Sequence, residues 1–165
     1  MKEKIKKYLK EFVLFIVVMT IFANAISLYR SLDLNKEPLT ISSITTLDDK
    51  KYSIPIDKHI MIHFWATWCP TCKAEAGNIQ TISENFEVIT IALKSGSDKE
   101  IREYLTSRDL NFKVINDKDG YLTNKFGISI FPTTIIYNKD RDVVFSDVGY
   151  TSTWGLWLRM LWAGK

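Results

Sequence analysis

The sequence predicts an α/β domain, with helices on both faces of a mixed sheet, behind an apolar N-terminal helix. Three observations lead to this fold class. From residue 39 onward, short runs rich in Val and Ile alternate with amphipathic segments. The only two cysteines of the chain, Cys69 and Cys72, lie where a predicted strand turns into a predicted helix. Near the N-terminus, a lysine-rich tip precedes a long apolar stretch.

The N-terminal segment indicates an exported domain. Several lysines precede an apolar run at residues 12–28, which as a helix spans most of a hydrocarbon core of roughly 30 Å. Since lysines stay on the cytoplasmic side, we predict a transmembrane signal anchor over residues 1–30, with lipid contact through residues 12–28. The alternative is a cleaved signal peptide, because Ala23-Asn24-Ala25 fits a cleavage site after Ala25.

The basic balance of the chain belongs to this anchor. The 165 residues have a formal net charge of +3, but residues 1–30 contain six of the 22 basic and two of the 19 acidic residues, which leaves 16 basic and 17 acidic residues outside the anchor. The exported part therefore gives no support to a nucleic-acid partner. Residues 31–38 are polar and end in a proline, which predicts a tether. Residues 39–165 suffice for one domain with one core.

The pattern from residue 39 onward predicts the elements one by one. They are a hairpin over residues 41–46 and 51–54, strands over 60–65 and 87–93, a helix over 72–85, a helix from Ser97 to Arg108, a short strand at Val114 and Ile115, strands over 133–137 and 143–148, and a final helix from Thr151. Ser97 and Glu100 form a capping box. In the final helix, Trp154, Trp157 and Trp162 recur at helical spacing, which predicts that they face the core; the alternative is that any surplus tryptophan faces the membrane or a partner.

The two cysteines indicate redox chemistry. Two thiols cannot build a disulfide scaffold or, alone, a structural zinc site. A helix N-terminus stabilises negative charge, so Cys69 is predicted to be the exposed nucleophile, with Pro70 near the first helical position. Cys72, one turn later and more shielded, is placed to resolve the mixed disulfide. The alternative is an inert pair of buried thiols, which leaves the neighbouring strand, tryptophans and proline unexplained.

Two motifs carry a resemblance to a known family. Residues 64–72, Phe-Trp-Ala-Thr-Trp-Cys-Pro-Thr-Cys, and residues 131–134, Phe-Pro-Thr-Thr, resemble the thioredoxin fold, and more narrowly the membrane-anchored TlpA/DsbE-like thiol–disulfide oxidoreductases. Residues 91–96 and 149–156 resemble one subgroup, the suppressor-for-copper-sensitivity D (ScsD) proteins. The resemblance covers nearly the whole chain. It implies a protein disulfide oxidoreductase whose working group is the redox-active Cys69–Cys72 disulfide, with no further cofactor and no metal ion.

The resemblance also implies roles around the dithiol. Pro132 matches the cis-proline of the fold, so Phe131 is expected to offer its backbone N–H and C=O to an extended substrate chain. Glu75 matches a glutamate that is proposed to relay protons to the buried thiol. The alternative for Glu75 is a solvated carboxylate in the first helical turn. Trp65 and Trp68, together with Pro70, are predicted to form the apolar surface around the thiols that shields Cys72 and receives the partner.

His63 departs from the thioredoxin pattern, which has a buried aspartate at this position. As an imidazolium, His63 would lower the cysteine pKa values and favour the reduced dithiol. The alternative is a neutral core histidine that hydrogen-bonds a backbone group. His59 and His63 lie on one face of a strand but about 13 Å apart, which is too far for one metal ion.

The sequence thus predicts a single-pass protein of a bacterial inner membrane, with a cytoplasmic N-terminus and a periplasmic catalytic domain. Its expected partners are envelope proteins with cysteines or disulfides and a membrane electron donor. The Pro-Thr dipeptide between the cysteines matches DsbE-type reductases of cytochrome c maturation, but those have an acidic residue where this chain has Thr133. We therefore expect a reductase in redox or copper-stress defence. The alternatives are a cytochrome c maturation reductase, a Cu(I)-binding or delivery protein, and a structural membrane-linked binding module, which leaves the dithiol unexplained.

Overall fold

A five-stranded mixed sheet organises the domain in the computed structural model, which describes residues 2–30, 38–47 and 51–165. The described elements are, in chain order, α1 (Lys2–Arg30), β1 (Ser43–Thr45), β2 (Lys51–Ser53), β3 (Ile60–Trp65), α2 (Pro70–Ser83), β4 (Val88–Leu93), α3 (Asp98–Thr106), β5 (Lys113–Asp117), α4 (Tyr121–Lys125), β6 (Thr133–Tyr137), β7 (Val143–Val148) and α5 (Thr153–Ala163). The strand order is β5-β4-β3-β6-β7. The strands β5, β4 and β3 are parallel, and β6 and β7 add antiparallel pairs.

The central strand β3 is buried on both faces, which explains its uninterrupted apolar sequence. Met61 and Trp65 belong to the core cluster formed with α2, α3 and α5. Ile62 and Phe64 belong to the cluster on the other face, with α4 and the β1–β2 hairpin. The connections β3–α2–β4 and β4–α3–β5 run in the same direction along the sheet. Because such connections are right-handed, they place α2 and α3 on the same face. The helices therefore lie on both faces of a mixed sheet, as predicted.

The helix α4 is absent from the predicted elements. It is little more than one turn long, and its N-cap residue is Gly120, whose φ of +78° lies in the left-handed region that glycine favours. Its first N–H groups are held from outside the helix: the Asp117 carboxylate accepts from the backbone N–H of Leu122 at 3.1 Å and of Thr123 at 2.8 Å. The Asp117 carboxylate, at the end of β5, thus caps α4. The segment itself has no helical periodicity, so the local pattern does not predict this helix.

The capping box predicted at the start of α3 is confirmed. The Ser97 hydroxyl accepts from the Glu100 N–H at 3.3 Å, and the Ser97 N–H donates to Glu100 Oε2 at 2.7 Å. The Ser97→Ala variant should therefore lose about 1 kcal/mol of unfolding free energy, because one N-terminal donor of α3 loses its acceptor. Urea unfolding measures this, with Lys99→Ala, exposed in the same turn, as the control. A loss no larger in Ser97→Ala than in the control would contradict the assignment.

The final helix α5 uses a different face for the core than predicted. The buried side chains are Leu156, Met160 and Ala163. Trp154 is 79% exposed and Trp162 is 66% exposed, so the prediction that these two face the core is wrong. The helix is apolar nearly all round, and a 3.6-residue period therefore cannot select which face is buried.

The helix α1 contains one stretch, Lys6–Ser27, that is long and apolar enough by length and composition to cross a membrane. Its end contacts the domain at two points. The Val148 N–H donates to Ser27 Oγ at 2.9 Å, and the Arg159 guanidinium donates to Asn24 Oδ1 at 3.2 Å. Most of the predicted tether, residues 31–37, lies outside the described residues, as do the turn residues 48–50 of the hairpin.

Candidate active site

The two cysteines lie at the start of α2 and form a disulfide. Cys69 is the N-cap residue, and Pro70 follows in the first helical turn, as predicted. The Cys69 sulfur accepts a hydrogen bond from the Cys72 N–H at 3.1 Å. The Cys69 Sγ thus lies at the positive end of the helix, where unpaired N–H groups stabilise a thiolate once the disulfide is reduced.

Both cysteines are buried in this oxidised form. The exposed fraction is 5% for Cys69 and 2% for Cys72. The expectation of an openly exposed Cys69 is therefore wrong for the disulfide state, although Cys69 is the more accessible of the two. Burial follows from the cluster of α2, α3 and α5, to which both cysteines belong, since α2 starts over the centre of the sheet.

An aromatic pair lies beside the disulfide on the surface. The rings of Trp68 and Phe131 meet edge to face with centroids 5.9 Å apart, and Trp68 is 56% exposed. Trp65 is buried in the core cluster with Cys72, so the prediction that it forms part of the partner-receiving surface is wrong. The Phe131–Pro132 peptide bond is cis, as predicted. The loop is held by the Pro132 carbonyl, which accepts from the Gly149 N–H at 2.8 Å, and by the Thr133 hydroxyl, which donates to the Ile130 carbonyl at 2.7 Å.

The backbone of Phe131 is available to a ligand. Among the described residues, neither its N–H nor its C=O has a hydrogen-bond partner. Extended peptides bind by pairing with unsatisfied backbone groups of this kind, while neighbouring side chains supply the specificity. An edge with a free donor and a free acceptor next to two aromatic rings is therefore a surface that fits an extended, partly apolar peptide segment.

Glu75 is fully buried one helical turn after Cys72. Its Oε1 accepts from the Thr151 N–H at 2.9 Å, whereas Oε2 has no hydrogen-bond partner among the described residues. Burial raises the pKa of Glu75 to about 8; the nearby Asp147 carboxylate raises it as well, and the Thr151 N–H opposes the rise. The carboxyl group is thus mostly protonated at neutral pH, and the alternative of a solvated first-turn glutamate does not describe it.

Asp147 and Arg159 form an ion pair near Glu75 that the sequence analysis missed. The guanidinium Nε lies 2.9 Å from Asp147 Oδ2, and Asp147 is only 6% exposed. Burial raises the pKa of Asp147, and Arg159 opposes this rise. The one available signal was an aspartate within the otherwise mainly apolar strand β7, because a buried carboxylate in such a strand requires a partner.

His63 corresponds to the second of its two interpretations. Burial lowers its pKa to about 3, so the imidazole is neutral at physiological pH. Its Nδ1 lies 2.9 Å from the Thr134 hydroxyl, which takes the place of the expected backbone partner. Cross-strand pairing explains the contact, since His63 and Thr134 are directly opposite in the register of β3 and β6. A neutral imidazole does not lower the cysteine pKa values by its charge.

Comparison with known proteins places this site in a family. Residues 40–146 match the family described as AhpC/TSA, which is well over half of the chain. The chain belongs to the AhpC/TSA family. It is 31% identical to a thioredoxin-like protein of Haemophilus influenzae, over 97% of each chain. It is 26% identical to the thiol-disulfide oxidoreductase ResA of Bacillus thuringiensis, over 78% of this chain and 83% of that protein.

The fold agrees with solved structures. The crystal structure of StoA from Bacillus subtilis superposes with a TM-score of 0.65 at 21% identity, over 75% of this chain and 98% of that chain. The thioredoxin-like fold is thus confirmed. For this AhpC/TSA-family chain, the redox pair Cys69–Cys72 and relatives named thiol-disulfide oxidoreductases establish the enzyme class, a thiol–disulfide oxidoreductase.

Proposed function

We propose that this oxidoreductase is a membrane-tethered reductase that acts on disulfides of cysteine-containing proteins outside the cytoplasm. The observation that carries the proposal is the Cys69–Cys72 disulfide at a helix N-terminus, with the buried Glu75 one turn beyond it. Two features favour reduction over oxidation. His63 is neutral, so it adds no charge that would stabilise a thiolate. The dipeptide between the cysteines, Pro-Thr, contains no cation.

The reaction uses two electrons of the reduced pair. The Cys69 thiolate attacks one sulfur of the substrate disulfide, forms a mixed disulfide and releases the other substrate sulfur as a thiolate. The ionised form of Glu75 takes the proton of Cys72, and Cys72 attacks the Cys69 sulfur, which releases the second substrate sulfur as a thiolate. The two released thiolates take protons from water, so the products are a substrate dithiol and the Cys69–Cys72 disulfide. A membrane electron donor must then supply two electrons to the disulfide, and Glu75 returns the proton to Cys72.

The pKa of Glu75 suits this relay. A group that must both accept and donate a proton works best when its pKa lies near that of its partner and near the working pH. The value of about 8 for Glu75 is close to that of an ordinary thiol, about 8.5. A carboxyl group with this pKa can therefore both accept a proton from a thiol and return it near neutral pH.

The substrate chain docks in an extended conformation at the cis-proline loop. Phe131 pairs its N–H and C=O with the substrate backbone, and the Trp68–Phe131 rings contact an apolar substrate side chain. Pro70 and Pro132 border this surface. The residue that follows the cis-proline is Thr133 and not an acidic residue. Thr133 is buried and donates to the Ile130 carbonyl. This departure from the DsbE pattern supports a role outside cytochrome c maturation.

The tether and the setting complete the proposal. The apolar helix α1 anchors the protein in the inner membrane, with the catalytic domain on the periplasmic side. Structural relatives include proteins described as secreted, from Corynebacterium glutamicum and Mycobacterium tuberculosis. The motifs at residues 91–96 and 149–156 favour an ScsD-type role in redox or copper-stress defence.

The direction of the reaction is tested by the reduction potential of the Cys69–Cys72 pair. We expect a value near or below about −220 mV, in the range of reductases, from equilibration of the detergent-solubilised chain with glutathione buffers of defined ratio. Mass spectrometry after alkylation gives the oxidised fraction. The His63→Asn variant, which keeps a neutral side chain, should show nearly the same value. A potential above about −150 mV would identify an oxidase or isomerase and reject the reductase.

A further inference from the structure

Helix α5 has an apolar face that the domain does not bury. Its members recur at i, i+4, i+7 and i+8, and they are Trp154, Leu158, Leu161 and Trp162, with exposed fractions of 79%, 63%, 50% and 66%. The opposite side of the helix, with Leu156 and Met160, is fully buried in the core. Single exposed apolar residues are ordinary on protein surfaces, but four on one helix face form a contiguous patch that indicates an interaction site.

The patch adjoins the apolar helix α1. Arg159, on the flank of α5, donates to Asn24 of α1 at 3.2 Å, and Ser27 accepts from the neighbouring end of β7. At 100° per residue, Arg159 lies between the buried side of α5 and Trp162, so the exposed patch continues from the flank that meets α1. A bilayer that surrounds α1 therefore lies next to the exposed face of α5.

The chemistry of the patch fits a bilayer surface. Tryptophan is enriched where hydrocarbon meets headgroups, because its ring is apolar and its N–H is polar. Residues 149–165 contain no acidic residue and two basic ones, of which Arg159 is paired with Asp147 and Lys165 lies at the end of the patch. The Lys165 ammonium lies 5.7 Å from the centroid of the Trp162 ring, at the end of the patch. An apolar stripe with a terminal lysine matches a helix that lies in the interface of an anionic membrane.

We propose that the exposed face of α5 lies on the lipid surface and holds the catalytic domain against the membrane in which α1 is anchored. The occupant of the patch is phospholipid, with the two tryptophans at headgroup level. The proposal rests on the proposed tether by α1 and is independent of the direction of the redox reaction. The domain then does not move freely on its tether, and the dithiol is kept at a fixed height above the bilayer.

The tryptophans themselves provide the test, because all five lie outside α1, at positions 65, 68, 154, 157 and 162. The full chain is reconstituted into vesicles of phosphatidylcholine and phosphatidylglycerol, with and without bromine on the acyl chains near the headgroup. Bromine quenches only nearby indoles. We expect at least a third of the fluorescence to be quenched, and the Trp154→Phe/Trp162→Phe variant should lose most of that quenching. Trp68→Phe, at the dithiol, should keep it.

A second variant tests whether the lipid contact is made by the exposed face of α5 or by another surface of the domain. Leu158→Glu/Leu161→Glu puts two carboxylates on the patch and should lower the quenched fraction at least twofold, whereas Ile56→Glu, at a position 81% exposed on another surface, should not. Flotation of the vesicles and insulin reduction are measured on the same samples. Flotation without quenching overturns docking alone, and loss of flotation overturns the tether and docking together. Absence of insulin reduction rejects the proposed activity and leaves the docking result valid.

Discussion

Replacing Cys69 with serine should abolish thiol–disulfide exchange, whereas replacing Cys72 with serine should stop the reaction half-way. Without the Cys69 sulfur there is no nucleophile at the positive end of α2, and we expect turnover to fall by at least about 10³-fold. With Cys72→Ser, Cys69 still attacks, but no second thiol releases the product. The covalent complex therefore accumulates. Cys69 is the more accessible of the two residues, which supports this order of events.

The two variants are distinguished by their adducts. The purified chains are mixed with insulin and with extracts of envelope proteins, and adducts are separated on non-reducing gels. Cys72→Ser should give bands that disappear with dithiothreitol, and Cys69→Ser and the double variant should give none. Thermal unfolding serves as the folding control, because in each variant an oxygen atom replaces the sulfur atom at nearly constant volume. Equal adduct formation by both single variants would show that either sulfur can attack, and the roles assigned here would be wrong.

The fold was predictable where the local pattern determines the structure. The strand β3 and the helix α2 have short apolar runs or periodic apolar positions with clear ends, and the structure places both close to the predicted bounds. The helix α4 was missed because its cap comes from Asp117 in the preceding strand. The buried face of α5 was wrong because apolar residues surround the helix, so the tertiary packing alone selects Leu156 and Met160.

The active site divides in the same way. Cys69, Cys72 and the cis bond before Pro132 follow from short motifs, since their positions depend on local chain geometry. The pair Asp147–Arg159 joins β7 to α5 and depends on how two distant segments pack. Which interpretation of His63 holds depends equally on the register between β3 and β6 and on burial. Neither the register nor the burial can be derived from spacing along the chain. The long-range pairs and the pKa directions therefore had to come from the structure.

Replacing Glu75 with glutamine should change the pH dependence of stability in a definite direction. The pKa of Glu75 is raised from 4.5 to about 8 by folding, so the folded state binds more protons than the unfolded state between these values. Its contribution is fully present below pH 4.5 and is lost as pH rises to 8. The linkage relation gives about 5 kcal/mol for the complete loss, as an upper figure. Asp147, whose pKa is also raised, adds to the same trend.

The contribution of His63 to stability changes with pH in the opposite direction, so the measurement must cancel it. Its pKa is lowered from 6.5 to about 3, so its contribution is present above pH 6.5 and is lost as pH falls. The difference between Glu75→Gln and the parent chain at each pH cancels this background. We expect urea unfolding of the oxidised chain to show that difference shifting in favour of the variant from pH 5 to pH 8. Glu84→Gln, exposed at the end of the same helix, should follow the parent chain.

The same substitution should slow catalysis at the resolving step. Glutamine keeps the shape of Glu75 and cannot take the Cys72 proton, and general-base assistance of this kind contributes about 10²-fold in rate. Stopped-flow mixing with a disulfide peptide should show mixed-disulfide formation at the parent rate, followed by slow release. A rise in pH should restore part of the release rate, because hydroxide then deprotonates Cys72. If Glu75→Gln slowed the first step instead, the carboxyl group would act on Cys69 or on substrate docking and not as the proton acceptor for Cys72.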